Sequence, residues 1–326
     1  MTVETLDFKQ LEAFCAVMTA GGVTGAARLL HRSQPNVSRL IQELENTLGF
    51  ALFVRNGPRI SPTEHALRFH PEAERLVNVF HHVRERAEAI GSGQPPSFEI
   101  SAISALAVSL VPPALAAIPR ELMPRSLHVQ AAVVDRVAQS VATGASDFGL
   151  ASFPVSYPGL GVKWVGEAPC VAALRHDHPL AAKPLIPLRA FADCTLITMS
   201  NPFKLRYRVD HVFEKERIAP RAIVDTNTGA TALSLAREGL GVAIVDPATA
   251  YGMPFRDLVL RPLDVRIPFF FGAIVGASRA LPPALSVFSD AVLAAAERLL
   301  PGFRLHQTLG ADLLEDALYG EQPLQT

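Results

Sequence analysis

The sequence of 326 residues predicts an α/β protein that begins with an all-α winged helix-turn-helix and continues into a two-lobed α/β domain. Residues 1–62 carry short helical patterns and then a hairpin, and residues 63–91 form one long helical pattern. After a break at "GSGQPPS", β-rich runs alternate with helical stretches over residues 92–300, which is typical of βαβ units and a mostly parallel sheet. Residues 301–326 show no clear periodicity and are predicted to be a C-terminal tail.

The patterns of the first three helices predict a helix-turn-helix whose third helix begins with polar side chains, which we call its polar front. An apolar stripe from Phe8 to Met18 predicts the first helix, and Thr24 is the predicted N-cap of the second. The third helix begins at "SQPNVSRL", where Ser33 is the predicted N-cap, and has no carboxylate in its first two turns. Such a helix suits the major groove of DNA, because Gln and Asn can pair with adenine while Ser and Arg suit phosphates. The polar side chains on this front are Ser33, Gln34, Asn36, Ser38 and Arg39.

A basic hairpin follows the third helix. The Asn56-Gly57 pair lies between apolar runs and is a strong signal for a tight turn, and Arg55 and Arg59 flank it. Residues 21–60 hold five basic and two acidic residues, a local charge of +3 on a chain whose net charge is −1. Attraction to nucleic acid is therefore predicted to be confined to this domain, with the hairpin as a wing that contacts DNA.

The stretch "FKQLEAFCAVMTAGGVTGAARLLHRSQPNVSRLIQELENTLGFALFVRNG" resembles the N-terminal domain of LysR-type transcriptional regulators, and "HPLA" and "GLGVAIV" resemble segments of their C-terminal domain. The resemblance implies a sequence-specific DNA-binding regulator with a linker helix and a periplasmic-binding-protein-like effector domain. It places the DNA contacts on Ser33, Gln34, Pro35, Ser38, Arg39 and Arg55. Within the family, the sequence looks most similar to the opine and amino-acid-responsive branch.

The pattern over residues 63–91 predicts a linker helix that forms a dimer. Its apolar residues alternate at spacings of three and four, which is the repeat of a coiled coil, and Pro71 is predicted to kink it. The N-cap is Ser61 or, in competition, Thr63. A helix packed on its own domain is the alternative, but the narrow stripe and the two half-sites of an operator favour a homodimer, and by resemblance a homotetramer. The predicted seam residues are Phe69, Leu76, Phe80 and Val83.

In the C-terminal domain, a ligand is expected in the cleft between lobes, where strands end and helices begin. Three segments qualify, namely Ser104-Ala105, Ser200-Asn201 and Asn227-Thr228. Their amides and hydroxyls favour an anionic group, so we predict a small-molecule co-inducer that bears a carboxylate. Because simple helix capping is an equal alternative for each hydroxyl, the prediction depends on the convergence of the three segments.

Other chemistries have weak support in the sequence. The run His176-Asp177-His178 lacks further ligands at metal spacing, and Gly239-Leu240-Gly241 fits a helix-to-strand turn rather than a dinucleotide site. The three cysteines are scattered and form no metal or redox motif; they are Cys15, Cys170 and Cys194. No catalytic residue, metal or cofactor is therefore predicted.

An enzyme or a solute-binding protein on the C-terminal scaffold is the alternative function. The sequence shows no catalytic constellation, and its first residues do not resemble a signal peptide, so both are disfavoured. The longest apolar run, "IPFFFGAIVGA", is too short to cross a bilayer, and no membrane partner is expected. We expect a cytoplasmic protein that binds double-stranded operator DNA and a small effector, with RNA polymerase as a further candidate partner.

Overall fold

The computed structural model describes residues 6–56, 59–92, 97–124, 126–200, 204–253, 255–277 and 281–306. The chain divides into two compact units, Met1–Gly93 and Gln94–Thr326. Three features predicted from the sequence lie outside the described residues: Gly57 of the hairpin turn, Asn201 of the effector site, and the tail beyond residue 306.

The N-terminal unit is a winged helix-turn-helix, as predicted. Its helices are α1 (Phe8–Ala20), α2 (Val23–Leu29), α3 (Gln34–Leu48) and α4 (Glu64–Ser92), and its hairpin pairs β1 (Phe53–Asn56) with β2 (Arg59–Pro62). Gly21 and Gly49 take left-handed backbone angles, φ 67° and 76°, and so end α1 and α3. Phe14, Leu44 and Leu52 are fully buried at the centre of this unit.

Two predicted helix caps differ from the structure. Gly22, and not Thr24, is the N-cap of α2, because that helix already begins at Val23. Ser33 is the N-cap of α3, but its side chain accepts no capping hydrogen bond. The Ser33 hydroxyl is therefore not committed to the helix, although its position at the helix start is as predicted.

Thr63, rather than Ser61, is the N-cap of α4. Its Oγ1 accepts a hydrogen bond from the Ala66 N–H at 3.1 Å, whereas Ser61 belongs to strand β2. The helix continues past Pro71 without a break.

One face of α4 packs on its own domain. Ala66, Ala73 and Val77 are buried in the N-terminal core, and the ring of Phe69 lies 5.6 Å from that of Phe14. Phe69, one of the predicted seam residues, is thus partly buried against the core of its own domain. The regular spacing of the apolar residues therefore does not distinguish the residues that pack on this domain from those that remain exposed.

The described residues of the C-terminal unit form eleven strands and seven α-helices. In chain order its elements are β3 (Phe98–Ala102), α5 (Ser104–Ser109), α6 (Val111–Ala116), β4 (Leu127–Ala131), α7 (Val134–Thr143), β5 (Phe148–Ser152), β6 (Leu160–Pro169), β7 (Val171–Arg175), β8 (Thr195–Met199), α8 (Lys204–Lys215), β9 (Ala222–Thr226), α9 (Gly229–Arg237), β10 (Val242–Val245), α10 (Pro247–Gly252), β11 (Leu258–Pro262), β12 (Pro268–Gly276), α11 (Pro283–Leu299) and β13 (Arg304–His306).

These strands form two sheets, each at the centre of one lobe. The sheet of the first lobe has the order β13-β6-β12-β5-β3-β4, and that of the second lobe has the order β11-β7-β10-β8-β9. A continuous apolar core contains residues from both lobes, among them Phe148 and Phe271 of the first and Leu174 and Val242 of the second.

The prediction of a mostly parallel sheet is wrong, because both sheets are mixed. Strand β3 is parallel to β4 and β5, and β8 is parallel to β9 and β10, but β12 is antiparallel to β5 and β6, and β7 is antiparallel to β10 and β11. Strand β12 returns to the first sheet from the second lobe. It therefore enters that sheet from the opposite end and runs against β5.

The predicted tail begins with an ordered strand. Residues Arg304–His306 form β13, which pairs antiparallel with β6 at the edge of the first sheet. The sequence missed this strand because three residues are too few to show a period.

The Gly239-Leu240-Gly241 turn lies between α9 and β10, as predicted. Gly239 has a φ of 79°, and a Cβ atom on Gly241 would collide with the backbone carbonyl of Thr195 in β8. The second glycine therefore allows two parallel strands to approach each other.

Gly241→Ala should destabilise the protein by about 1–3 kcal/mol, because a backbone carbonyl cannot move aside as a flexible side chain would. Gly161→Ala is the matched control, since a Cβ atom there would meet no atom closer than 3.5 Å. Urea unfolding of both variants measures the difference. Equal unfolding free energies for the two variants would contradict the close approach at Gly241.

Candidate DNA-binding and effector sites

The front of α3 is exposed and contains no acidic residue in its first turn. The exposed side chains include those of Gln34, Pro35 and Arg39, whereas Ser38 is half-buried. Asn36 differs from its neighbours because its Oδ1 is buried and has no hydrogen-bond partner among the described residues. Its amide oxygen therefore faces the protein, and Gln34 presents the more accessible amide.

The basic side chains around α3 are not equivalent. Arg39 is 68% exposed and lies 3.6 Å from Glu43 one turn later, which is a weak surface ion pair. Arg32, in the turn between α2 and α3, lies 3.4 Å from Glu12 and is mostly covered, so it joins this turn to α1. Arg39 is thus the cation of this helix that remains available to a phosphate.

The hairpin places its two arginines beside the turn. Arg55 is opposite Ile60 and Asn56 is opposite Arg59 in the register of β1 and β2. This backbone arrangement is that of a wing, as expected from the sequence.

The predicted effector residues lie at the carboxyl ends of parallel strands in both lobes. Ser200 and Asn227 follow the adjacent strands β8 and β9, and the Ser200 N–H donates to the Thr226 carbonyl at 2.8 Å. Ser104 and Ala105 begin α5 after β3 of the first lobe. The structure thus groups Ser200 with Asn227 and Thr228, and it places Ser104 and Ala105 at the corresponding edge of the other sheet.

The hydroxyls of this site have different roles. Thr228 caps α9, since its Oγ1 accepts from the Thr231 N–H at 3.2 Å and lies 2.8 Å from the Thr231 hydroxyl. Ser104 is exposed, and Ile103 rather than Ser104 occupies the N-cap of α5, without a capping side chain. The helix-capping alternative therefore applies to Thr228, whereas the Ser104 hydroxyl makes no capping hydrogen bond.

The sequence did not reveal the arginine that joins the lobes. Arg208 of α8 is only 7% exposed, and its guanidinium donates to the carbonyls of Phe153 at 3.1 Å and Pro268 at 3.2 Å. The same group lies 5.0 Å from the centre of the Phe270 ring. All three of these partners belong to the first lobe, so a cation from the second lobe is buried against the first.

Burial lowers the pKa of Arg208 to about 10, and the nearby Glu167 carboxylate opposes that shift. The group therefore stays charged at neutral pH. Its only signal in the sequence is an arginine in an amphipathic helix, where a solvent-exposed position is the ordinary expectation.

The buried carboxylate of Asp246, after the end of β10, forms hydrogen bonds within the protein. Asp246 caps α10, because its carboxylate accepts from the Thr249 N–H at 2.7 Å and from the Thr249 hydroxyl at 2.8 Å. Burial raises the pKa of Asp246, while these hydrogen bonds favour its ionised form. The carboxylate is thus occupied within the protein.

The residues His176, Asp177 and His178 after β7 do not form a metal site. Both oxygens of Asp177 accept from Arg175, at 2.6 and 2.8 Å, and this contact holds the pKa of Asp177 below its usual range. His178 uses its Nδ1 to accept the Leu180 N–H at 3.2 Å. In the parts of the chain that the structure describes, no three His, Cys, Asp or Glu side chains are grouped as a metal site would require.

Comparison with known families identifies both units. Residues 8–67 match the family described as "Bacterial regulatory helix-turn-helix protein, lysR family", and residues 91–297 match "LysR substrate binding domain". The chain belongs to the LysR family. Like other members, it is a transcriptional regulator with a DNA-binding helix-turn-helix and an effector-binding domain, and not an enzyme.

Several curated relatives align over nearly their whole length. The octopine catabolism/uptake operon regulatory protein OccR of Rhizobium meliloti is 30% identical over 299 residues, which cover 89% of this chain and 98% of OccR. The regulatory protein NocR of Agrobacterium fabrum is 28% identical over 291 residues, 89% of this chain and 97% of NocR. The transcriptional activator protein LysR of Escherichia coli is 27% identical over 295 residues, 90% of this chain and 95% of that protein.

Solved structures of this family share the fold. Full-length CbnR complexed with its target DNA aligns with a TM-score of 0.71 at 22% identity, over 89% of this chain and 100% of CbnR. A full-length OxyR variant from Pseudomonas aeruginosa aligns with a TM-score of 0.61 at 21% identity, over 94% of this chain and 100% of that chain. No described helix of this regulator is long and apolar enough to cross a membrane.

Arg208→Met should destabilise the regulator by about 2–5 kcal/mol, because two carbonyls between the lobes would each lose a charged donor. Lys215→Met is the control on α8, since Lys215 is exposed in the last turn of this helix and its replacement should cost at most about 0.5 kcal/mol. Thermal and urea unfolding measure both. Similar losses for the two variants would show that Arg208 does not hold the lobes together.

Proposed function

We propose that this LysR-family regulator binds operator DNA through the front of α3 and the hairpin, and that a small carboxylate-bearing effector between the lobes controls this binding. The observation that carries the DNA-binding part is the exposed, acid-free start of α3. A helix start of this kind can enter the major groove without placing a carboxylate near phosphates.

The proposed DNA contacts divide into two groups. Gln34 is the candidate for a bidentate contact with adenine, and Arg39 and Ser38 are placed for phosphates beside the groove. Arg55 and Arg59 flank the turn of the wing and would contribute contacts to the backbone or minor groove. The first group provides specificity, and the second provides affinity that does not depend on sequence.

The effector is proposed to be a carboxylate of amino-acid origin. OccR, which is 30% identical to this chain, is named for octopine catabolism and uptake. The predicted effector residues lie at strand ends in both lobes, where exposed amides and hydroxyls favour anions. The protein is proposed to act in the cytoplasm, where operator DNA and such metabolites are both available.

The outward face of α4 supports a homodimer. Leu76, Phe80 and Val83 are 52%, 44% and 57% exposed, and they follow one another at spacings of four and three residues. Phe80 also stacks on Phe8 of its own domain at 3.7 Å between ring centres. A second α4 would cover this apolar row, and two such dimers would form the proposed homotetramer, with RNA polymerase as a further partner at the promoter.

Gln34→Ala tests the DNA-binding proposal. The variant should lose about 1–3 kcal/mol of binding free energy at an operator selected by the wild-type protein from random duplexes, and its preference should relax at one base position. Gln42→Ala is the matched control, because Gln42 is exposed on the same helix but lies beyond its first two turns. Fluorescence anisotropy measures both.

Arg55→Ala distinguishes the wing from the recognition helix in the same assay. It should weaken operator and random DNA alike and reduce the dependence of binding on salt, because a phosphate contact releases counterions. Wild-type affinity of both Gln34→Ala and Arg55→Ala for the operator would refute this placement of the helix and the wing.

Val83→Glu tests the dimer. It should dissociate the α4 pair, since two carboxylates would face each other across a two-fold axis, and analytical ultracentrifugation should show half the oligomer mass. Leu67→Glu is the control, because Leu67 is 58% exposed on the opposite side of α4 from Leu76. An unchanged mass for Val83→Glu would exclude this seam.

A further inference from the structure

We infer that Lys204, at the start of α8, binds the carboxylate of the effector, and that Asp135 of the facing lobe binds its ammonium group. The effector would then be a zwitterion of the amino-acid type. This inference rests on the proposed effector site between the lobes, and it assigns the two charged side chains that would recognise the ligand.

The contacts of Arg208 establish which face of α8 is turned toward the first lobe. Its guanidinium donates to carbonyls of that lobe, while Leu205, Val209 and Phe213 are buried in the apolar core. Lys204 precedes Arg208 by four residues, and side chains at that spacing lie on the same helix face. Lys204 therefore points in the direction of the first lobe.

Its position along the helix places Lys204 at the edge of the sheet. It is the first residue of α8, which follows the carboxyl end of β8 and Ser200. Asp135 has the equivalent position in the first lobe, as the second residue of α7 after β4. The two groups thus lie at the two sheet edges where a ligand is expected.

The charge of Asp135 acts on the ammonium group of Lys204. Lys204 is half-buried, and this burial lowers its pKa, whereas the carboxylate of Asp135 acts in the opposite direction. Arg208 adds to the lowering, because it is a like charge on the same face. An ammonium on the second lobe is therefore close enough to a carboxylate of the first lobe to be affected by its field.

Lys204 is left without a counterion in contact. Within the described part of the chain, no carboxylate lies within 4.0 Å of its ammonium group. A partly desolvated ammonium gains most from a carboxylate that reaches it directly. A bound ligand can provide this contact while it offers its own ammonium to Asp135.

The other charged groups near the cleft have partners of their own. Arg206 pairs with Asp210 and Asp225, and Asp246 accepts both of its hydrogen bonds from Thr249. Lys204 and Asp135 are the opposite charges that remain for a ligand among the described residues of these helix starts. Their location in different lobes means that one ligand would contact both and draw the lobes together.

The experiment uses the full-length protein and a fixed panel of ligands in a thermal-shift assay. The panel contains the common amino acids and octopine, each compared with its analogue without the amino group and its analogue without the carboxyl group. We expect at least one zwitterion to raise the melting temperature of the wild type, because a ligand that binds only the folded form stabilises it. Both truncated analogues of that compound should bind at least tenfold more weakly.

Variants then assign the two charges. Lys204→Gln should weaken binding of the active zwitterion at least tenfold by calorimetry, and Lys204→Arg should restore most of the affinity. Asp135→Asn should remove the preference for the zwitterion over its analogue without the amino group. Lys215→Gln is the control, since Lys215 is exposed in the last turn of the same helix. Ligand-free melting and operator binding show whether each variant is folded.

The outcomes separate this inference from the proposed function. If a carboxylate binds and Lys204→Gln binds it as tightly as the wild type, Lys204 is not its partner, but the effector proposal stands. If only analogues without an amino group bind, the role of Asp135 is wrong. If no compound of the panel stabilises the wild type, the amino-acid class is wrong and this inference falls, whereas an effector with a carboxylate of another class is still open to test.

Discussion

A buried arginine joins the two lobes of the effector domain, and the geometry of the cleft depends on it. Removing a guanidinium from water costs several kcal/mol unless its donors are satisfied. Arg208 meets this requirement with two carbonyls at 3.1 and 3.2 Å and an aromatic ring at 5.0 Å. Because those partners belong to the first lobe, moving the lobes apart would break both of these hydrogen bonds.

This contact also determines what the rest of α8 can do. Once Arg208 is directed toward the first lobe, Lys204, which is one turn earlier in α8, lies on the same side of the helix. The opposite side of the helix is apolar and packs into the second lobe through Val209 and Phe213. A helix with this division of faces holds the lobes together through Arg208, and in the proposed site its first residue, Lys204, would bind the ligand.

The linker helix α4 of the N-terminal unit likewise has two faces with different contacts. Its inward residues, Ala66, Ala73 and Val77, are small enough to let the helix lie directly on the core. Its outward residues Leu76 and Val83 are more than half exposed. One helix therefore stabilises the DNA-binding domain and, in the proposed homodimer, would also contact the second copy through different side chains.

The sequence by itself determined the features that arise from neighbouring residues. The helix-turn-helix, the hairpin and the Gly239-Leu240-Gly241 turn follow from helical periodicity, turn residues and left-handed glycines, which act within a few positions of the chain. The family motifs lie in these same segments, so the regulator could be recognised from them. The polar front of α3 was likewise visible, because its exposed and buried positions alternate with the period of one helix.

Only the tertiary structure decided the features that join distant residues. Arg208 lies 55 and 60 positions from the two carbonyls that it binds, and β12, which follows the second lobe in the chain, pairs with β5 and β6, which precede that lobe. Phe69 has the spacing of a seam residue, but the position of Phe14 places it in the core of its own domain. Periodicity reports which face of an element is apolar; which partner covers that face is decided by long-range packing, to which local sequence contributes no signal.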